Sequence, residues 1–237
     1  MEIPRVDFSW IASGWELGDI WCLTFVRGLD EAEALRRMGV AEESIRPLTY
    51  RELADEGLFP HTVLAGRLEG WVVLIERNGS QATEPDTIRA LSAKTELISV
   101  LRHDYATDLF VYAIDGDRLT SFDPRKPAWR YGSDPDRLLD AMEAVGIHPN
   151  HLSGVHATPE TDDEWDTGPQ APTMSEALML AARITGVLMS QEVLNAVLLS
   201  GVIAHEAEAP SGEAAGQREA TSLRTSDLFA AIRQADL

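Results

Sequence analysis

The sequence predicts an α+β protein, a mainly antiparallel sheet of five or six strands packed against helices, with an α-hairpin in its C-terminal third. Short apolar runs rich in β-branched and aromatic residues recur between residues 19 and 122, and several are joined by two-residue turns, which only antiparallel neighbours permit. Between them lie segments that begin on a cap and end on glycine, as helices do. Beyond residue 172 an apolar stretch has helical spacing and two further caps.

Taken in order, Asp19 to Arg27 is an almost unbroken apolar run between Gly18 and Gly28, the pattern of a central strand covered on both faces. Asp30 with Glu33 forms a capping box for a helix that Gly39 ends, and Thr49 with Glu52 repeats the device for a helix around Tyr50 to Glu56. His61 to Leu68 and Trp71 to Arg77 flank Glu69-Gly70, a hairpin linker, and Asn78-Gly79 turns the chain again. Pro85 opens a short helix, followed by a strand from Thr95 to Arg102. Leu109 to Ile114 and Arg118 to Phe122 bracket Asp115-Gly116, a dipeptide that tolerates positive φ and marks a hairpin. Ser133, Pro135 and Asp136 start another helix and Gly146 closes it.

Residues 1–150 then read as the sheet domain and 151–172 as an acidic loop, with Glu160, Asp162, Asp163, Glu164 and Asp166 among prolines. In 173–204 two helices are expected to form a hairpin on the same core, the first from Thr173 to Leu188, the second capped by Ser190 and running to Ile203. Residues 205–224 have no hydrophobic period and are expected to be disordered, and 225–237 hold a short amphipathic helix.

Composition narrows function. The 237 residues carry 39 acidic and 20 basic side chains, a formal charge of −19, and beyond position 150 the cations are Arg183, Arg218, Arg224 and Arg233. Such a field repels phosphate backbones and anionic lipid, so neither nucleic acid nor a membrane is expected as a partner. The first thirty residues lack the basic start and apolar core of a signal peptide, and Val187 to Ala204 is too short and too polar to span a bilayer. One cysteine, Cys22, permits no intrachain disulfide, in keeping with a reducing, cytoplasmic setting.

Trp21 to Leu29, Gly70 to Gly79 and Phe122-Asp123-Pro124, with Arg130 to Asp136 and Ile184 to Leu188, resemble an uncharacterised actinobacterial family known as a domain of unknown function. The likeness covers roughly residues 10 to 203. It implies a cytoplasmic α+β protein and brings no activity, catalytic residue or cofactor with it.

His148, His151 and His156 could gather a divalent metal, but zinc needs three or four convergent ligands and these lie in a loop, where histidines beside a helix C-terminus are ordinary. Asp104, Asp108, Asp115, Asp117 and Asp123 could supply paired carboxylates for magnesium or acid–base work, although turns select the same residues. Cys22 lies in an apolar strand and reads as core. There is no nucleophile elbow and no phosphate loop in a chain whose two lysines are Lys94 and Lys126. Trp21 and Trp71 read as core. Trp129, with Arg125, Lys126 and Arg130 around it, is the place to expect a small acidic ligand or acidic segment, since Arg gives bidentate donors and Trp a stacking face.

No catalytic residue and no cofactor is therefore expected. The reading is a non-enzymatic protein-interaction module, of adaptor or immunity type, for a basic partner steered by the acidic field. The alternative is a small-molecule-binding protein or enzyme with a pocket between the sheet and the C-terminal helices, using Trp129, Arg130, His148, His151 or the aspartates.

Overall fold

The computed structural model describes residues 8–12, 17–58, 61–150 and 174–204, all within the unit Met1–Ala204. Nine strands form one antiparallel sheet: β1 (Ile20–Arg27), β2 (Arg46–Thr49), β3 (Thr62–Leu68), β4 (Trp71–Arg77), β5 (Glu96–His103), β6 (Leu109–Ile114), β7 (Asp117–Phe122), β8 (Arg130–Tyr131) and β9 (Val197–Val202). Their order is β2-β9-β3-β4-β1-β5-β6-β7-β8. The first strand of the chain is thus the middle one. Its apolar run is the consequence, because both faces of β1 are covered.

Strand alternation sends two sets of side chains to opposite faces. On one face Trp21, Leu23 and Phe25 of β1 join Val73, Ile75, Val100 and Phe110 in a core with α6 (Met174–Thr185), and α1 (Ser9–Ala12), α3 (Tyr50–Asp55), α5 (Leu139–Val145) and α7 (Gln191–Asn195) also lie on this face. On the other face Cys22 and Val26 pack with Val63, Leu74, Leu97 and Val111 beneath α2 (Glu31–Arg37) and α4 (Pro85–Ser92).

The local devices act as expected except at α2, where the capping box is only half formed, and at α5, which begins at Leu139 and not at Ser133, Pro135 or Asp136, with Leu138 at its N-cap and no side-chain bond there. Thr49 and Glu52 form the full capping box of α3. At α2 the Asp30 carboxylate does accept from Glu33 N–H, but the Glu33 carboxylate turns to Arg36 and Arg37 instead of reaching back. The hairpin pairs Glu69-Gly70 and Asp115-Gly116 have positive φ at both residues, as two-residue turns require.

The sheet has nine strands, not five or six. β2 and β8 are edge strands of four and two residues, and β2 contains Pro47, which only an edge tolerates. The second arm of the expected α-hairpin is the five-residue α7 followed by β9, not a helix from Ser190 to Ile203. Ser190 caps as expected, accepting from Val193 N–H at 3.4 Å. Then Val197 to Val202 inserts between β2 and β3 and completes both of their ladders. Backbone bonding to two strands outweighs helical spacing there. Gly201 permits it, since a Cβ at this position would lie 2.2 Å from Val40 Cγ1. The acidic loop of 151–172, the linker of 205–224 and the helix of 225–237 fall outside the described residues.

Candidate functional site

The loop from β7 to β8, residues 123–129, carries three of the four residues singled out for ligand or partner binding. It is held to the β5–β6 turn by charge. Asp108, buried, accepts the His103 N–H at 2.9 Å and pairs with the Arg125 guanidinium at 2.9 Å. Asp123 accepts the Arg125 N–H at 2.9 Å and lies 3.9 Å from the same guanidinium. Burial pushes the Asp123 carboxyl above its usual range, and the Arg125 amide and charge pull it back. Asp108 and Asp123 therefore do come together, but around a guanidinium that occupies the space a cation would take. Asp104 pairs with Arg102 at 2.9 Å, and Asp115 and Asp117 sit at the opposite end of the β6–β7 hairpin.

Arg125 is thus half-exposed but already doubly paired. Arg130 is turned inward: its guanidinium meets Asp136 at 2.7 Å and donates to the carbonyls of Pro127 and Pro149. The cationic cluster expected from sequence is largely neutralised within the chain. What remains at the surface is aromatic. Trp129 is 51% exposed, Tyr131 on the edge strand β8 45%, and Tyr105 in the turn beside Asp108 84%. Lys126 stands over the Trp129 ring at 5.8 Å. Trp21 and Trp71, by contrast, are buried as expected. Sequence reasoning named Trp129 and missed Tyr105 and Tyr131. An aromatic residue inside the polar stretch Asp104–Asp108 was the available signal.

His148 is exposed, between the buried Ile147 and Pro149, while His151 and His156 lie outside the described residues. Among the described residues no group of three or more His, Cys, Asp or Glu side chains could hold a metal ion.

The centre of the sheet holds a second polar group. The Cys22 thiol contacts Ser99 Oγ at 3.2 Å, and the Thr24 and Ser99 hydroxyls share a hydrogen bond at 2.5 Å. Beside them Glu76, 1% exposed, accepts the N–H groups of Gln81 and Ala82 at 2.7 and 3.0 Å. Burial pushes the Glu76 carboxyl up to about 7, and burial with the Glu76 charge pushes the Cys22 thiol far up as well. A protonated, enclosed thiol is no nucleophile. This cluster ties β1, β4 and β5 to the short turn of helix at Gln81–Thr83.

A concavity of about 380 Å³ opens where β3 and β9 separate. Their pairing ends at Ala65↔Leu199, leaving Gly66–Leu68 and Val197–Leu198 unladdered to each other. Glu31 and Arg67 border the notch on one side, Glu192, Val193 and Ala196 on the other. It lies between the sheet and the C-terminal elements, where the alternative reading expects a pocket, but none of Trp129, Arg130 or His148 lines it.

Among the described residues no helix is long and apolar enough to cross a membrane. The chain matches a family of unknown function, DUF6461, over residues 1–208. It belongs to that family. No curated protein and no solved structure matches it.

Proposed function

We propose that the chain is a non-enzymatic protein-interaction module for a basic partner, with the β8 edge of the sheet as its contact surface. The observation that carries this reading is the exposure of Trp129, Tyr131 and Tyr105 at one end of the sheet, in a fold that buries Trp21 and Trp71. Tyr and Trp supply most of the binding energy at interfaces because they bury large area at small entropic cost. Their ring faces also attract cations, as Lys126 over Trp129 illustrates. A formal charge of −19 would steer a basic partner toward the chain and lower its affinity for an acidic one. With Arg125 and Arg130 committed to Asp108, Asp123 and Asp136, this edge favours a cationic contact over an anionic ligand.

The test is site-specific photocrosslinking in cells, with a benzophenone amino acid at position 129 or 131, then at Thr83 as a remote control, followed by reconstitution of the crosslinked pair. The expected result is one dominant basic polypeptide joined at 129 and 131 but not at 83, with Trp129→Ala weakening the purified complex about tenfold or more. An acidic partner, or binding unchanged by Trp129→Ala and Tyr131→Ala together, refutes the reading.

A further inference from the structure

The notch between β3 and β9 has the chemistry of an anchor. Its walls are aliphatic: Ala65, Val193, Ala196, Val197, Leu198 and Leu199. Val197 is 69% exposed, an unusual position for a β-branched side chain on a strand. Gly66 shapes the floor, because a Cβ there would stand 2.9 Å from Leu198 Cδ2, so Leu198 settles directly over the glycine. At the rim are two carboxylates. Glu31 is already held by the Arg67 guanidinium through two contacts, whereas Glu192 makes no ion pair with any described residue. The local charge is one negative in excess, and it resides on Glu192.

We propose that this notch receives one long basic side chain, lysine or arginine, from a partner segment. The aliphatic stem lies along Val193, Val197 and Leu198, and the cationic head meets the Glu192 carboxylate. A lysine or arginine matches both features, since such residues bury their methylenes against apolar surface while keeping the charge at a rim. A volume of about 380 Å³ is at the small end of ligand pockets, room for one such side chain and not for a folded element. An acidic side chain would face Glu192 without compensation. An uncharged one would leave that carboxylate unanswered.

This deepens the interaction-module reading, but its test is independent of the aromatic edge. The probe is Nα-acetyl-lysine N-methylamide, titrated into the full ¹⁵N-labelled chain at low salt, with the norleucine counterpart as the uncharged control. The amides of Gly66, Arg67, Val193 and Val197 report the notch, and those of Trp129 and Tyr131 report the edge. The expected result is saturable shifts at the notch in the millimolar range, about tenfold weaker for norleucine and for the Glu192→Gln variant. Glu192 is exposed on α7, so that variant keeps the fold, which its unchanged remaining spectrum verifies. Equal shifts with lysine and norleucine, shifts unaltered in Glu192→Gln, or no shift up to 50-fold more probe than the expected millimolar range overturn the proposal. Failure here leaves the Trp129 edge untouched, and failure of the edge test leaves the notch standing.

Discussion

Glu76 offers the sharpest quantitative test of the fold's energetics. Its carboxyl is enclosed between β1, β3 and the turn at Gln81–Thr83, and burial raises it from an ordinary value of 4.5 to about 7. Between those values the folded protein holds a proton on Glu76 that the unfolded chain has released. The unfolded chain then binds fewer protons, so stability falls as pH rises from about 4.5 to about 7 and levels off above. Two and a half units at 1.36 kcal/mol each bound the loss at about 3 kcal/mol. Glu76→Gln keeps the shape and removes the proton. Its amide can accept only one of the Gln81 and Ala82 N–H groups, so the variant carries a roughly constant penalty of about 1–3 kcal/mol. The decisive quantity is therefore the difference between the two proteins as a function of pH, measured by urea unfolding from pH 4.5 to 8. Other carboxylates cancel in that difference. The wild type should lose about 1 kcal/mol per pH unit relative to the variant up to pH 7. A difference flat to within about 0.5 kcal/mol across that range would mean Glu76 is not desolvated as its position implies.

Two more outcomes follow from the geometry. A Cβ on Gly132, where φ is +136°, would lie 2.2 Å from the Leu119 carbonyl oxygen, so Gly132→Ala should destabilise by about 4 kcal/mol or more and release β8, whereas Gly146→Ala, with φ +92° and no atom of the described residues within 4 Å, should cost only about 1 kcal/mol. Thermal unfolding of the two variants checks this, and equal melting temperatures for Gly132→Ala and Gly146→Ala would contradict it. Cys22, fully buried with its thiol held protonated, should react with a disulfide reagent only at the rate of unfolding; stoichiometric labelling of the native protein within minutes would show the strand to be more open than its packing implies.

Much of the sheet was legible because its signals are local. The run from Ile20 to Val26 announces a doubly covered strand. Asp115-Gly116 and Glu69-Gly70 announce hairpins through positive φ, and Thr49 with Glu52 announces a helix start through two side-chain bonds within three residues. Each depends on neighbours in the chain, so the residues alone determine it. β9 could not be read that way. Val197 to Val202 carries helix-compatible spacing, and it is a strand because β2 and β3, far away in sequence, offer it unpaired backbone on both sides.

The candidate site divides similarly. That Trp129 would stand out was visible from its polar surroundings, and that Cys22 would be core followed from its apolar run. Composition by itself determined the strong negative field and the want of any familiar catalytic motif. Only the tertiary structure decided that Arg125 would be consumed by Asp108 and Asp123, that Arg130 would turn inward to Asp136, and that Tyr105 and Tyr131 would join Trp129 at the surface. The same holds for the notch at Glu192 and the burial of Glu76. The physical reason is common to all: charge pairing and burial depend on which distant segments the sheet order brings side by side, and no short-range pattern in the chain encodes that order.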